Sequence, residues 1–237
     1  MDFISGEIIA LDKPLGWTSF DAVKRIRGAI QRRLGLKKFK VGHAGTLDPL
    51  ATGVLLVCTG RATRLVEQLQ SGEKEYIATM RLGATTPSYD LEKEIDATYP
   101  YEHITREMIE ETLPKFTGEI LQVPPVFSAV KVDGKRAYLH ARKGHEVELA
   151  AKPLLIREME LLDFSDGRDM TLRIVCSKGT YIRALARDLG EALGSGAHLT
   201  ALRRTAVGPV RVEQCVSIDE ALRTIAECDV VMPEPAK

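Results

Sequence analysis

Leu154-Leu155-Ile156-Arg157-Glu158-Met159-Glu160-Leu161-Leu162-Asp163-Phe164, then Ser165-Asp166-Gly167-Arg168, then Met170-Thr171-Leu172-Arg173-Ile174-Val175-Cys176 decide the fold class. Two strand-like runs separated by a Ser-Asp-Gly-Arg turn read as neighbouring strands with no crossover helix between them. Downstream, Ser177-Lys178-Gly179-Thr180 leads into a helix that keeps Ile182, Leu185, Ala186, Leu189 and Leu193 on one side and stops at Gly194-Ser195-Gly196. Upstream, a strand from Val126 runs into Asp133-Gly134, followed by a basic stretch through Arg142-Lys143-Gly144. Nearer the N-terminus, residues 105–113 read as a helix opening at Thr105, Glu75 to Leu82 as a strand, 62–70 as a short helix and 53–58 as a buried strand. Glu7 to Leu11 reads as a strand stopped by Lys13-Pro14-Leu15-Gly16, after which Thr18 or Ser19 caps a helix striped with Val23, Ile26, Ile30 and Leu34. A last helix starts at Ser217 or Asp219. Strands in adjacent runs with helices inserted predict an α+β fold, a mixed, largely antiparallel sheet flanked by helices. With no repeat and no linker, 1–237 is expected to be one domain.

The 237 residues are 44% apolar, enough for a core, and this composition excludes a disordered or collagen-like chain. The longest uncharged apolar run, Val54 to Cys58, is far short of the roughly 20 residues a spanning helix needs, so no membrane association is expected. The start, Met1-Asp2-Phe3-Ile4-Ser5-Gly6-Glu7, does not resemble a secretory signal, and the expected location is cytoplasmic. Cys58, Cys176, Cys215 and Cys228 have no metal-ligand spacing; reduced structural thiols are expected, and no metal.

Charge balances at 33 basic and 33 acidic residues but is sorted along the chain. Residues 13–40 hold nine bases against one acid, and residues 129–157 hold seven against three. Acid collects in 88–113 and beyond 213. Such a chain can offer a basic face to a polyanion while staying neutral overall; a solvated helix face is the plainer explanation of either run alone.

Val41-Gly42-His43-Ala44-Gly45-Thr46-Leu47-Asp48-Pro49-Leu50-Ala51-Thr52-Gly53-Val54 crowds three glycines, a histidine and an aspartate ahead of a buried strand. Close approach of a ligand requires that much backbone freedom; a packed strand edge does not, although Asp48-Pro49 alone could simply start a turn. At Ser177-Lys178-Gly179-Thr180-Tyr181-Ile182-Arg183 a strand ends and a helix opens, so Arg183 could meet a phosphate or pair with a carboxylate. The Walker spacing is absent.

Gly42-His43-Ala44-Gly45-Thr46-Leu47-Asp48-Pro49-Leu50-Ala51-Thr52-Gly53-Val54-Leu55 closely resembles the catalytic motif of TruB-type tRNA pseudouridine synthases, which isomerise uridine 55 of the tRNA T arm. Four further stretches resemble that family in the same order: Leu11-Asp12-Lys13-Pro14 with Gly16-Trp17-Thr18-Ser19, Pro125 to Lys131, Cys176 to Arg183, and Gly196 to Arg204. The resemblance implies the pseudouridine synthase fold and makes Asp48 the catalytic carboxylate, on a base flipped out of the RNA. It makes Tyr76 the active-site tyrosine and Arg183 the arginine that pairs with the aspartate. Asp90 resembles a second carboxylate of that network, although Pro87-Ser88-Tyr89 before it departs from the family pattern. His43 corresponds to the histidine that fills space left by extruded bases, Tyr181 and Leu202 to pocket lining, and Lys13 to a contact with RNA or with the loop around Asp48.

Residues 123–152 match the family's inserted basic thumb loop, which closes on the T-arm stem-loop, and the basic helix region would add phosphate contacts. The implied partner is tRNA, with no guide RNA; a monomer is expected. Isomerisation breaks an N-glycosidic bond and makes a C–C bond without redox change, so no cofactor is expected. Only 20 residues follow Ser217, so the PUA domain of many family members is not expected here. The rival reading is a tRNA-binding and folding protein with catalysis secondary or absent; a glycoside hydrolase would leave the basic segments unexplained.

Overall fold

The computed structural model describes residues 1–128, 131–132, 135–136, 149–164 and 166–232. Two compact units form, Met1–Lys74 with Arg203–Lys237, and Glu75–Leu202. The chain begins with β1 (Ile8–Lys13), α1 (Ser19–Leu34), β2 (Val41–Ala44), β3 (Ala51–Thr59) and α2 (Val66–Ser71). It continues through β4 (Lys74–Leu82), β5 (Ala84–Thr85), β6 (Ala97–Thr98), α3 (Arg106–Thr112), β7 (Gly118–Gln122), β8 (Lys131–Val132) and β9 (Lys135–Arg136). Then follow β10 (Lys152–Asp163), β11 (Asp169–Cys176), α4 (Ile182–Ala192), β12 (Ala197–Val207), β13 (Val210–Arg211) and α5 (Ile218–Glu227).

In the first unit the strand order is β1-β3-β12, with β2 added to β3 and β13 to β12. β1 and β2 both run antiparallel to β3, with Leu11 opposite Leu55 and His43 opposite Val57. A parallel bridge from Leu11 to Val216 makes the sheet mixed. β3 is apolar on both faces because both are covered. Leu55 and Val57 join Leu11, Val23, Ile26, Ile30, Ile218 and Ile225 under α1 and α5, while Val54 and Leu56 pack with Ala44 and Val207. α1 starts at a reciprocal cap, Thr18 accepting from the Asp21 amide and Asp21 from the Thr18 amide, and ends at left-handed Gly35.

In the second unit the order is β12-β4-β11-β10-β7. The opening hairpin is as read: β10 and β11 are antiparallel, with Glu160 opposite Arg173 and Leu161 opposite Leu172. β11 buries Met170, Leu172, Ile174 and Cys176 in strict alternation, and β4 buries Tyr76, Ala78, Met80 and Leu82.

Several elements differ from the sequence reading. Residues 62–70 are not one helix: a 3₁₀ turn over Gly60–Leu65 precedes α2. Residues 126–128 are bends and Lys131–Val132 is strand, and most of the expected thumb, 129–148, lies outside the described residues apart from β8 and β9. Strands β2, β7 and β12 were not anticipated.

Candidate active site

Asp48 lies in the first unit, half-buried, on the loop between β2 and β3. Hydrogen bonds fix the main chain on both sides of it. Ser19 accepts from the Leu47 amide at 2.8 Å and its hydroxyl donates to the Leu47 carbonyl at 3.1 Å. The Gly16 amide donates to the Pro49 carbonyl at 2.8 Å. Arg204, 1% exposed, donates Nη2 to Gly45 O at 3.1 Å, Nη1 to Thr46 O at 3.4 Å and Nε to Val54 O at 2.8 Å. Gly53 holds φ +103°, and a Cβ there would stand 2.1 Å from the Arg204 carbonyl oxygen, so both the backbone conformation and the close approach require glycine.

Lys13 touches this loop. It is fully buried, and its Nζ donates to Trp17 O at 2.7 Å, Pro14 O at 2.9 Å and Pro49 O at 3.5 Å. Burial lowers its pKa to about 8, with Arg204 pushing the same way and Asp48 opposing. His43 extends from β2 with its Nδ1 buried and unpartnered among the described residues. Burial, then the Arg204 charge, lowers its pKa, keeping the ring neutral at pH 7.

Tyr76, Asp90, Tyr181, Arg183 and Leu202 lie in the second unit. Arg183, on the first turn of α4, is 5% exposed; its Nη1 donates to Ser88 O at 3.2 Å and its Nη2 to Phe127 O at 3.0 Å. Its Nε stands 3.7 Å from Oδ2 of Asp90, itself 5% exposed. Asp90 is therefore next to Arg183 despite the altered residues before it. The preceding Tyr89 holds φ 60°, and Arg187, one turn after Arg183, lies 5.0 Å from the Tyr89 ring and donates to Val123 O at 3.1 Å. Tyr181 forms the helix N-cap position and Gln122 brackets it, accepting from the Tyr181 amide at 3.0 Å and donating to its carbonyl at 3.2 Å. Tyr76 is buried on β4 and Leu202 half-buried on β12.

Sequence reasoning passed over Gln122, the Ser19 hydroxyl and the choice of Arg204 over Arg203. Arg203 instead forks onto Asp12 at the surface, at 2.7 and 3.1 Å. Adjacent arginines carry no mark of which one is buried, and β12 buries residues of both phases, so strand phase does not supply one. Among the described residues no group of three His, Cys, Asp or Glu could hold a metal, and no helix is long and apolar enough to cross a membrane.

The class follows from comparison with solved structures. A crystal structure of a Cbf5-Nop10-Gar1 complex contains a chain 33% identical to this one, with a TM-score of 0.69 over 93% of this chain and 54% of that one. This chain thus spans about half the length of that structure's chain, and the fold is that of the pseudouridine synthases. The family model described as TruB family pseudouridylate synthase (N terminal domain) matches residues 31–182, and that of the tRNA pseudouridylate synthase B C-terminal domain matches 183–229. The chain belongs to the TruB pseudouridylate synthase family. Among its relatives, tRNA pseudouridine synthase B of Phocaeicola vulgatus is 66% identical over 219 residues, 92% of this chain and 93% of that one. The protein of the same name from Parabacteroides distasonis is 61% identical over 237 residues, the whole of both chains.

Proposed function

We propose that the chain converts uridine to pseudouridine in tRNA, at position 55 of the T arm, with Asp48 as the reacting carboxylate. The observation that carries this is the loop itself: bonds from Ser19, Gly16, Lys13 and Arg204 fix the main chain on either side of Asp48 before any substrate arrives. A carboxylate held in advance avoids the ordering cost of a mobile one. The N1–C1′ bond breaks, a C5–C1′ bond forms, the C5 proton leaves and N1 takes one up. Electrons balance without an oxidant or reductant, so a carboxylate acting as nucleophile or base suffices.

In this reading Tyr76 stacks on the flipped base and serves removal of the C5 proton, while His43, Tyr181 and Leu202 shape the pocket. Arg183 keeps the role the resemblance gives it, the cation that pairs with the reacting carboxylate, and Asp90, 3.7 Å from its Nε, is the second carboxylate of that network. Residues 123–152 close on the T arm; Val123 O and Phe127 O, at the start of that segment, are held by Arg187 and Arg183. Lys13 acts through the loop, since its ammonium is spent on three carbonyls. The chain works as a cytoplasmic monomer without guide RNA. Asp48→Asn tests the assignment: turnover on a T-arm stem-loop is lost with RNA binding kept, and unchanged pseudouridine formation refutes it. If wild type and variant both bind and neither turns over, the chain is a binding protein.

A further inference from the structure

The outer face of α1 plays no part in the chemistry above, yet it carries an open cavity of about 670 Å³ lined by Gly16, Trp17, Lys24, Arg25, Gly28 and Arg32 among others. That volume is in the range of a small-ligand site and admits a nucleotide. Three observations say what it suits. Lys24, Arg25 and Arg32 are exposed and form no ion pair among the described residues, whereas the wall's acid, Asp21, is engaged by the Thr18 amide and hydroxyl. Flat apolar surface accompanies the charge: Trp17 is in the wall, and Phe20, outside the lining but one turn before Lys24 on α1, is 61% exposed. Gly28 sits in the middle of α1, where glycine is costly, yet a Cβ there would meet only Arg32 Nη1, at 3.6 Å. The protein's own packing does not demand that glycine; a group approaching the helix backbone from outside would.

The cavity adjoins the Asp48 loop. Gly16 in its wall bonds to Pro49, and Lys13 ties Trp17 O to the same loop.

We propose that this cavity is a second seat for the substrate RNA. It takes the sugar-phosphate backbone of the strand flanking the reacting uridine, with phosphates on Lys24, Arg25 and Arg32 and a ribose or base against Trp17 and Phe20. Phosphate charge matches the unpaired cations, and the aromatic surface distinguishes RNA from a bare anion. The inference rests on the functional reading above, in which RNA is the substrate.

Trp17 is the chain's single tryptophan, so its fluorescence reports occupancy directly. The full chain is titrated with T-arm stem-loop RNA at several salt concentrations, beside Lys24→Gln/Arg25→Gln/Arg32→Gln and Gly28→Gln. RNA should change Trp17 emission. The triple variant should bind at least tenfold more weakly at 0.1 M salt, with the slope of log affinity against log salt shallower by about 2, since each lost phosphate contact removes roughly 0.7–0.9. Gly28→Gln should weaken binding at least fivefold with its thermal midpoint unchanged or raised, which separates occupation of the cavity from damage to the helix. Emission blind to RNA, or affinity within twofold and an unaltered slope in the triple variant, overturns the proposal. Pseudouridine assays on the same samples keep the two readings apart. Salt-dependent Trp17 quenching without turnover sinks the catalytic reading alone, and turnover with an indifferent triple variant sinks this one alone.

Discussion

Replacing Arg204 by methionine keeps most of the aliphatic stem in the core and removes the fork that holds Gly45 O, Thr46 O and Val54 O. The bonds at 2.8 and 3.1 Å are well formed and the third, at 3.4 Å, is marginal, so two charge-assisted hydrogen bonds are lost, at about 1.5–3 kcal/mol each. Relief of a buried cation offsets part of this. The net cost is about 2–4 kcal/mol, which at roughly 2–4 °C per kcal/mol for a chain of this size lowers Tm by about 4–16 °C. Because two of the released carbonyls, those of Gly45 and Thr46, lie three and two residues before Asp48, turnover should fall as well, by ~10-fold or more. Thermal unfolding by circular dichroism and kcat on a T-arm stem-loop are measured side by side. Arg204→Lys should recover only part of either loss, since an ammonium cannot reproduce the planar fork. A Tm within about 2 °C of wild type with kcat intact would refute the view that Arg204 organises the loop.

Gly53→Ala forces a Cβ to 2.1 Å from Arg204 O at φ +103°; it should cost more than ~3 kcal/mol and yield insoluble or strongly destabilised protein, read as soluble yield and Tm. Burial brings the Lys13 pKa to about 8 in the folded chain against an ordinary 10.5, so between those limits the unfolded chain binds more protons and native stability rises with pH. The wild-type urea midpoint should therefore climb relative to Lys13→Met from pH 8 to 9.5; a constant difference contradicts the burial assignment. Arg187→Ala removes the bond to Val123 O, the Tyr89 ring contact and the 2.7 Å pair with Asp188, whose pKa burial already raises. A Tm lower by several degrees and a further rise in the Asp188 pKa, followed by NMR titration, are expected.

The β10–β11 hairpin was legible because its turn residues and its apolar runs agree. β12 was not. Ala197 to Val207 is rich in Ala, Leu and Arg, lacks clean alternation, and buries residues of both phases, so neither helical nor strand periodicity stands out. β2 and β7 are short, and β2 hides inside the glycine-rich motif whose interest lay elsewhere. The Asp48 loop could be read because backbone freedom leaves a compositional trace, and the resemblance then supplied the roles. The residues that fix the loop left no such trace. Whether Arg204 or Lys13 is buried depends on carbonyls brought from far along the chain, Val54 for the first and Pro49 for the second. Lys13 was expected at RNA or at this loop, and the fold places its ammonium on the loop's carbonyl.

The most direct test of the central claim is tritium release from C5 of uridine-labelled T-arm stem-loop RNA. It uses the purified chain, EDTA and no added cofactor, with Asp48→Asn in parallel. The account predicts release at catalytic turnover by the wild-type chain and none by Asp48→Asn, with both binding the RNA. Equal release by the two, or none by the wild type while it binds, would contradict it.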